Sequence, residues 1–367
     1  MRICVLGDAR SIHLQRNLSG LASRGCTVVL LTHHPAPIPG VAVERFQVPP
    51  AGWRYPARWK GRWRKYLRKL LREFDVVNVQ FLHDWGLTAE LIQDGCVVMT
   101  PWGSDIVAPP GETPPTAELV RKRVDWLQSA AAVTAWGPTF AGTIAEYAGI
   151  NVSDVTIIPL GVDEALFRPP DRVTDGATGG PTHRVGFFKG FRRVYGATYL
   201  VRAIPSVLEV LPGVRFIMIG DGPDLPKCLE MAAVYEVEHA VKWIKPQPHR
   251  NLPNYLAGWD LSVISSICES FGVSALESCA MQVPVVATDV GGVRDAVVDG
   301  RTGVLVPPAS PEATADAIVR LLQNPPRRRA MGEAGRAHVL RHFRQEDVLD
   351  RWIGCYERAR ESRCVMM

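Results

Sequence analysis

Short apolar runs, each closed by glycine or a polar turn, alternate along this chain with longer segments whose apolar positions recur at helical spacing. Ile3–Leu6 is such a run and ends at Gly7-Asp8-Ala9-Arg10-Ser11. Ile12, Leu14, Leu18, Leu21 and Ala22 follow with helical spacing, stopped by Gly25, and Val28–Thr32 is the next run. This is the strand–turn–helix–strand opening of a parallel sheet, whose strands are buried on both faces and need not alternate. Val76–Gln80, Val97–Thr100 and Val155–Ile158 continue the series. Residues 161–183 break the rhythm with Arg168-Pro169-Pro170-Asp171 and a Gly/Thr-rich stretch, the composition of an exposed linker. A second series then starts: a strand at Val185–Phe188, a helix over 197–211, and a strand at Val214–Ile219 closed by Gly220-Asp221-Gly222-Pro223. Later strands are expected at Val241–Ile244, Leu261–Ile264, Val283–Thr288 and Gly303–Val306, with helices at 312–323, 327–342 and 345–360. The pattern predicts an α/β protein of two Rossmann-like, doubly wound domains. The first covers 1–165, a linker 166–184, the second 185–344, and a final helical segment 345–367.

Composition narrows this little. At 367 residues, with 47% apolar and 22% charged residues, the chain suits an ordinary globular protein with two cores. Its eight cysteines form no Cys-x-x-Cys pair, and several lie inside apolar runs. They read as reduced, buried thiols of a cytoplasmic protein. The run Arg2–Leu6 is too short for a secretory leader, and no window approaches the ~18 apolar residues of a membrane span. Any membrane contact is therefore expected to be peripheral.

Charge changes the picture in one place. The net charge is +5, but residues 53–72 hold nine Lys and Arg and no acid, with Trp59, Trp63, Leu67, Leu70 and Leu71 at helical spacing. The plain reading is a helix that packs its apolar stripe on the sheet and keeps its charges in water. A second reading lays it on the anionic inner face of a membrane, and a third lets it attract an acidic acceptor. No nucleic-acid motif accompanies the charge.

The densest chemistry lies in Cys268-Glu269-Ser270-Phe271-Gly272-Val273-Ser274-Ala275-Leu276-Glu277. Two carboxylates flank a Phe-Gly turn that opens a helix, and such a turn offers free N–H groups and partial positive charge to a phosphate. Solvated glutamates on an ordinary helix are the plain alternative. Val283-Pro284-Val285-Val286-Ala287-Thr288 and Gly291-Gly292 follow, then Thr302-Gly303-Val304-Leu305-Val306-Pro307-Pro308.

This ordered string resembles the donor-site signature of retaining glycosyltransferases of the GT4 type, and the likeness extends more loosely over most of the chain. It implies the GT-B architecture, in which two doubly wound domains face each other across a cleft and the last helix crosses back to the first domain. It implies that Glu277 binds the donor ribose, that Glu269 contacts hydroxyls of the transferred sugar, and that Phe271, Gly272 and Val273 offer backbone N–H groups. Relatives commonly place an arginine and a lysine after the first strand of the second domain. Here the segment is Gly186-Phe187-Phe188-Lys189-Gly190-Phe191-Arg192-Arg193-Val194-Tyr195-Gly196, with Tyr195 in place of the usual lysine. Lys189 is the first choice for the diphosphate, then Arg192 and Arg193; a solvated basic loop is the alternative. Gly220 and Gly222 belong to a turn that either shapes the nucleotide pocket or only closes a strand. Residues 244–249 are expected near the base.

In the first domain, Thr100-Pro101-Trp102-Gly103-Ser104-Asp105 resembles the family's His-Gly-Ser-Asp turn. Trp102 replaces the histidine; an indole can pack on a sugar ring and donate one hydrogen bond, but it transfers no proton. Asp105 is either a ligand of substrate hydroxyls, counted here among catalytic candidates with Glu269 and Lys189, or a turn aspartate. His13, His83, Trp102 and Ser104 are the acceptor-side candidates, with Asp84 beside His83. Gly7-Asp8-Ala9-Arg10 lacks the Gly-x-Gly-x-x-Gly spacing of a dinucleotide site, which argues against a nicotinamide dehydrogenase.

The expected function is transfer of a glycosyl group from a nucleotide-diphosphate sugar to a hydroxyl acceptor (a sugar, lipid-linked sugar or small molecule). Retention is implied by the resemblance. No cofactor or metal ion is expected, because no His, Asp or Glu cluster has ligand spacing. A sugar-nucleotide epimerase or hydrolase on the same fold, or a non-catalytic sugar-nucleotide-binding protein, are the alternatives.

Overall fold

The computed structural model describes residues 1–46, 57–83, 85, 87–170 and 183–364, with backbone alone for 57–63 and 363–364. Two compact units emerge. Unit 1 comprises Met1–Ala108, Glu112–Pro159 and Glu346–Met367; unit 2 comprises Pro109–Gly111 and Leu160–Gln345. Residues 171–182 of the expected linker, Asp84, and Trp53 and Arg54 of the basic segment lie outside the described residues.

Unit 1 is built on strands β1 (Arg2–Leu6), β2 (Thr27–Thr32), β3 (Ala42–Arg45), β4 (Val76–Gln80), β5 (Val97–Thr100), β6 (Ala132–Ala135) and β7 (Val155–Ile157). All pair in parallel, in the spatial order β3-β2-β1-β4-β5-β6-β7. The helices between them are α1 (Ile12–Ser23), α2 (Ala57–Glu73), α3 (Ala89–Asp94), α4 (Ala117–Ser129) and α5 (Pro138–Ala148). Ser11 starts α1 by accepting the Leu14 N–H on its hydroxyl, the ordinary way to satisfy a free helix-end donor.

Unit 2 repeats the scheme with β8 (His183–Phe188), β9 (Val214–Ile219), β10 (Val241–Ile244), β11 (Leu261–Ile264), β12 (Val285–Thr288) and β13 (Gly303–Val306), again all parallel. Their order is β10-β9-β8-β11-β12-β13. Its helices are α6 (Ala197–Val210), α7 (Leu225–Val234), α8 (Leu252–Leu256), α9 (Val273–Ala280), α10 (Val293–Ala296), α11 (Pro311–Leu322) and α12 (Pro325–His342). The core joins Val185, Phe187 and Phe216 of the sheet to Leu200, Ile204 and Ile318 of the helices.

The last helix, α13 (Gln345–Cys364), belongs with unit 1. Val348, Leu349, Trp352 and Tyr356 are buried, and Leu349 lies so close to Gly20 of α1 that a Cβ there would collide with it. Arg24, the residue that caps α1, pairs with Glu346 and, at 3.3 Å, with Asp350.

Among the described cysteines none is bridged, and burial pushes the Cys228 and Cys279 thiols up to about 12. No described helix is long and apolar enough to cross a membrane. On α2, Leu67, Leu70 and Leu71 are buried while Arg64, Lys65, Arg68, Lys69 and Arg72 are exposed. The described apolar stripe is thus already spent on the unit's own core.

Candidate functional site

In a doubly wound sheet, ligands bind beyond the carboxyl ends of the strands, where the strand order reverses. In unit 2 that point lies between β8 and β11, and two candidate groups stand there. Lys189 follows β8 by one residue, and Glu269 follows β11 in the loop to α9. Their side chains form an ion pair, 9% and 15% exposed. The Ser266 hydroxyl donates to the same Glu269 oxygen at 3.1 Å. The Lys189 ammonium also lies 4.6 Å from the centre of the Tyr195 ring, a cation–π contact. Tyr195, in the usual place of a lysine, thus supplies no charge and instead seats the charge of Lys189.

The turn between the two glutamates needs its glycines. Gly272 caps α9 at φ 95°, a backbone region costly for other residues. Gly291 and Gly292 press against the backbone of Glu269 and Ser270, and the Gly292 N–H donates to the Glu269 carbonyl at 3.0 Å. Phe271 anchors the turn with a buried ring set edge-on to Phe343 at 5.8 Å. Among the described residues, the N–H groups of Phe271, Gly272, Val273 and Ser274 meet no acceptor. They are the free donors of a helix start, where partial positive charge also collects.

Glu277 lies one helical turn further along α9 and is 4% exposed. Its carboxylate accepts from His249 Nε2 at 2.7 Å. His249 stands in the loop after β10, with its ring 5.0 Å from the buried ring of Phe167. The sequence placed 244–249 near this pocket but did not single out His249.

Gly220 and Gly222, at φ 153° and 152°, let their turn press against the Lys189–Phe191 backbone, which a Cβ at either would strike. The Phe191 N–H donates to the Asp221 carbonyl at 2.8 Å. The turn braces the lysine loop. Arg192 and Arg193 follow in that loop with exposed side chains.

Unit 1 reverses its strand order between β1 and β4, and a cavity of about 400 Å³ opens there. Its wall includes Asp8, Arg10, His33, His34, His83, Trp85 and Trp102, but neither His13 nor Ser104. His33 and His34 follow β2 and went unnoticed in the sequence; their place just past a strand beside the reversal was the available signal. His33 stacks on Trp85 at 5.2 Å. Arg10 is bound by Asp8, whose carboxyl this hydrogen bond holds below its ordinary value. Burial holds the His83 imidazole below its usual range. Phe81, at φ 73° and pinned by its N–H to the Thr100 carbonyl at 3.0 Å, turns the chain so that its ring meets that of His83 at 4.3 Å. The Trp102 indole donates to Gln80 Oε1 at 2.8 Å; Gln80 in turn donates to Asn78, and Asn78 to Thr100 at 2.9 Å. His13 sits half-buried on α1, 3.4 Å from an Arg16 nitrogen, and Ser104 is exposed.

Asp105 takes the turn role left open above. It is 1% exposed, and its oxygens accept the N–H groups of Leu82 (2.9 Å), Trp102 (2.9 Å) and Gly103 (2.8 Å). Burial pushes its pKa up against the opposing pull of those donors. Arg123, also buried, completes the brace from α4 by donating to the Leu82 and Asp105 carbonyls at 3.0 and 2.6 Å. Among the described residues, no three His, Cys, Asp or Glu side chains gather as metal ligands do.

Comparison with known proteins agrees with this layout. Residues 180–338 match the family model described as glycosyl transferases group 1, and residues 11–166 that of glycosyltransferase family 4. The D-inositol 3-phosphate glycosyltransferase of Segniliparus rotundus is 35% identical over 227 residues, 60% of this chain and 50% of the relative. That of Corynebacterium urealyticum is 33% identical over 201 residues, 51% of this chain and 47% of the relative. The match thus spans about half the length of these curated relatives. Sucrose-phosphate synthase from Thermosynechococcus elongatus has a similar structure, with TM-score 0.81 and 19% identity over 99% of this chain and 100% of that one. HepE of Anabaena, solved in complex with UDP and glucose, gives TM-score 0.77 and 17% identity over 96% and 98%. The two parallel-sheet units have the GT-B fold, and the chain belongs to the group 1 glycosyltransferases of the GT4 type.

Proposed function

We propose that this chain transfers a glycosyl group from a nucleotide-diphosphate sugar to a hydroxyl acceptor, retaining the anomeric configuration and using no metal ion. One observation carries the reading. Glu269 and Glu277 bracket a glycine turn whose N–H groups are free, with the Lys189 ammonium beside Glu269. Glu277 takes the ribose hydroxyls, Glu269 the hydroxyls of the transferred sugar, and the turn N–H groups the diphosphate.

As the glycosidic bond breaks, negative charge grows on the leaving diphosphate. Lys189 and the start of α9 meet that charge with groups already in place, so little reorganisation is needed. The acceptor hydroxyl attacks from the face that the diphosphate leaves. A phosphate oxygen takes the acceptor's proton, and no protein nucleophile is required. The unit 1 cavity holds the acceptor, with Trp102 as a ring-stacking surface and His83 as a neutral hydrogen-bonding group. A sugar, a lipid-linked sugar or a small polyol fits this chemistry. Contact of α2 with anionic lipid then rests on charge alone, since its described leucines face inward.

The test offers UDP-, GDP-, ADP- and dTDP-sugars with a mixture of hydroxylated acceptors, and follows nucleotide release and the anomer formed. A retained glycoside that disappears in Glu277→Ala supports the reading. Hydrolysis or epimerisation at full rate without acceptor, or a donor bound in crystals away from Gly272, overturns it.

A further inference from the structure

We infer that His249 is a positioning residue for the nucleotide half of this site: its ring N–H fixes the Glu277 carboxylate by one oxygen, leaving the other for the ribose diol. The inference rests on the reading of Glu277 as the ribose ligand.

Glu277 is a carboxylate with almost no access to water, 4% exposed. A carboxylate so placed meets few waters and depends on donors from the protein itself. His249 Nε2 lies 2.7 Å from Glu277 Oε1. An ionised carboxylate only accepts, so this nitrogen carries the hydrogen. The bond stops the carboxylate from rotating. Oε2 makes no bond among the described residues and remains the acceptor on offer.

The histidine is itself held. It opens a short 3-10 turn, His249–Asn251, directly after Pro248, which fixes its own φ and narrows the choices before it. Its ring rests at 57° on Phe167, a side chain with no exposure. The imidazole thus has a wall on one side and the carboxylate on the other. A rigid donor behind a ligand-binding acceptor is what keeps that acceptor in a productive orientation.

Two variants separate the hydrogen bond from the shape. His249→Phe keeps a ring against Phe167 and removes the donor; His249→Gln restores an N–H near the position of Nε2. Calorimetry measures the binding of UDP, GDP and ADP, each beside its 2′,3′-dideoxy counterpart, and the tightest pair is followed through the variants. Wild type is expected to prefer the ribonucleotide by about tenfold or more, the scale of a hydrogen bond to a charged group. In His249→Phe the preference falls to about twofold with the dideoxy affinity unchanged, and in His249→Gln most of it returns. A melting curve confirms that each variant is folded, and the unchanged dideoxy affinity is a result that a merely structural role would not give. If His249→Phe keeps the full preference, or His249→Gln loses it as completely, the inference is wrong while the reading of Glu277 stands. If wild type binds both members of each pair alike, the ribose reading of Glu277 fails first.

Discussion

Replacing Lys189 with methionine removes one charge and keeps nearly the same side-chain length. The thioether can still rest on the Tyr195 ring, so packing is largely retained. The electrostatic loss can be estimated. Lys189 is 9% exposed, and a group at such a site feels an effective dielectric near ~20. At ~4 Å from a fully charged diphosphate, the ammonium contributes about 4 kcal/mol. If roughly half of that charge is new in the transition state, about 2 kcal/mol falls on kcat, a loss of about 30-fold. The remainder appears as weaker donor binding. The substitution also strands Glu269, 15% exposed, and that costs stability. Breaking a fully buried pair costs ~3–5 kcal/mol, and partial exposure here brings the figure to about 1–2 kcal/mol. Adding Glu269→Gln relieves the stranded charge, so the double variant regains most of the melting temperature and none of the rate. Steady-state nucleotide release at saturating donor, with parallel melting curves, reads both effects. A Lys189→Met enzyme that melts normally and turns over within threefold of wild type would refute the assignment of Lys189 to the diphosphate.

Gly196, at φ 63°, faces the Ser265 carbonyl so closely that a Cβ cannot fit. Gly196→Ala is therefore expected to cost more than about 2 kcal/mol in urea unfolding, and a loss under about 0.5 kcal/mol contradicts the geometry. His83 and His338 are both held below the ordinary 6.5 by burial, so the unfolded chain takes up protons first as pH falls. Stability is therefore full above about 6.5 and declines below it; His83→Gln and His338→Gln should flatten the fall in melting temperature, and an unchanged slope counts against the burial argument. Turnover should survive EDTA, and loss of activity restored by magnesium overturns the metal-free reading.

The strands were legible where burial on both faces made them continuous apolar runs. Val97–Thr100 and Leu261–Ile264, buried at every position, have the expected bounds, and so do Val76–Gln80, Val214–Ile219 and the edge strand Val241–Ile244, whose runs are interrupted by polar residues. Ala42–Arg45 was not read, because this edge strand is short and largely exposed. Ala132–Ala135 escaped because Ala-Val-Thr-Ala carries little apolar signal, although β5 and β7 flank it. The run Val283–Thr288 pairs only from Val285, since Pro284 has no N–H to give; its carbonyl accepts from Ser262 at 3.0 Å.

That Glu269 and Glu277 flank one turn could be read because one loop and one helix hold them. His249 could not, because only the strand order brings a loop 28 residues away onto Glu277. Asp105 shows the opposite case: a turn that looks poised for substrate has its carboxylate fully occupied by backbone donors.

Helix α13 gives the first unit a history as well as a shape. The chain leaves that unit at Pro159 and rejoins it at Glu346, so the second unit is inserted within the first. During synthesis, the surface of α1 around Gly20 stays uncovered until the second unit has been made and α13 has followed it out of the ribosome. Grafting between relatives meets the same topology: one joint near residue 160 hands the first unit a foreign closing helix, and a faithful chimera needs two.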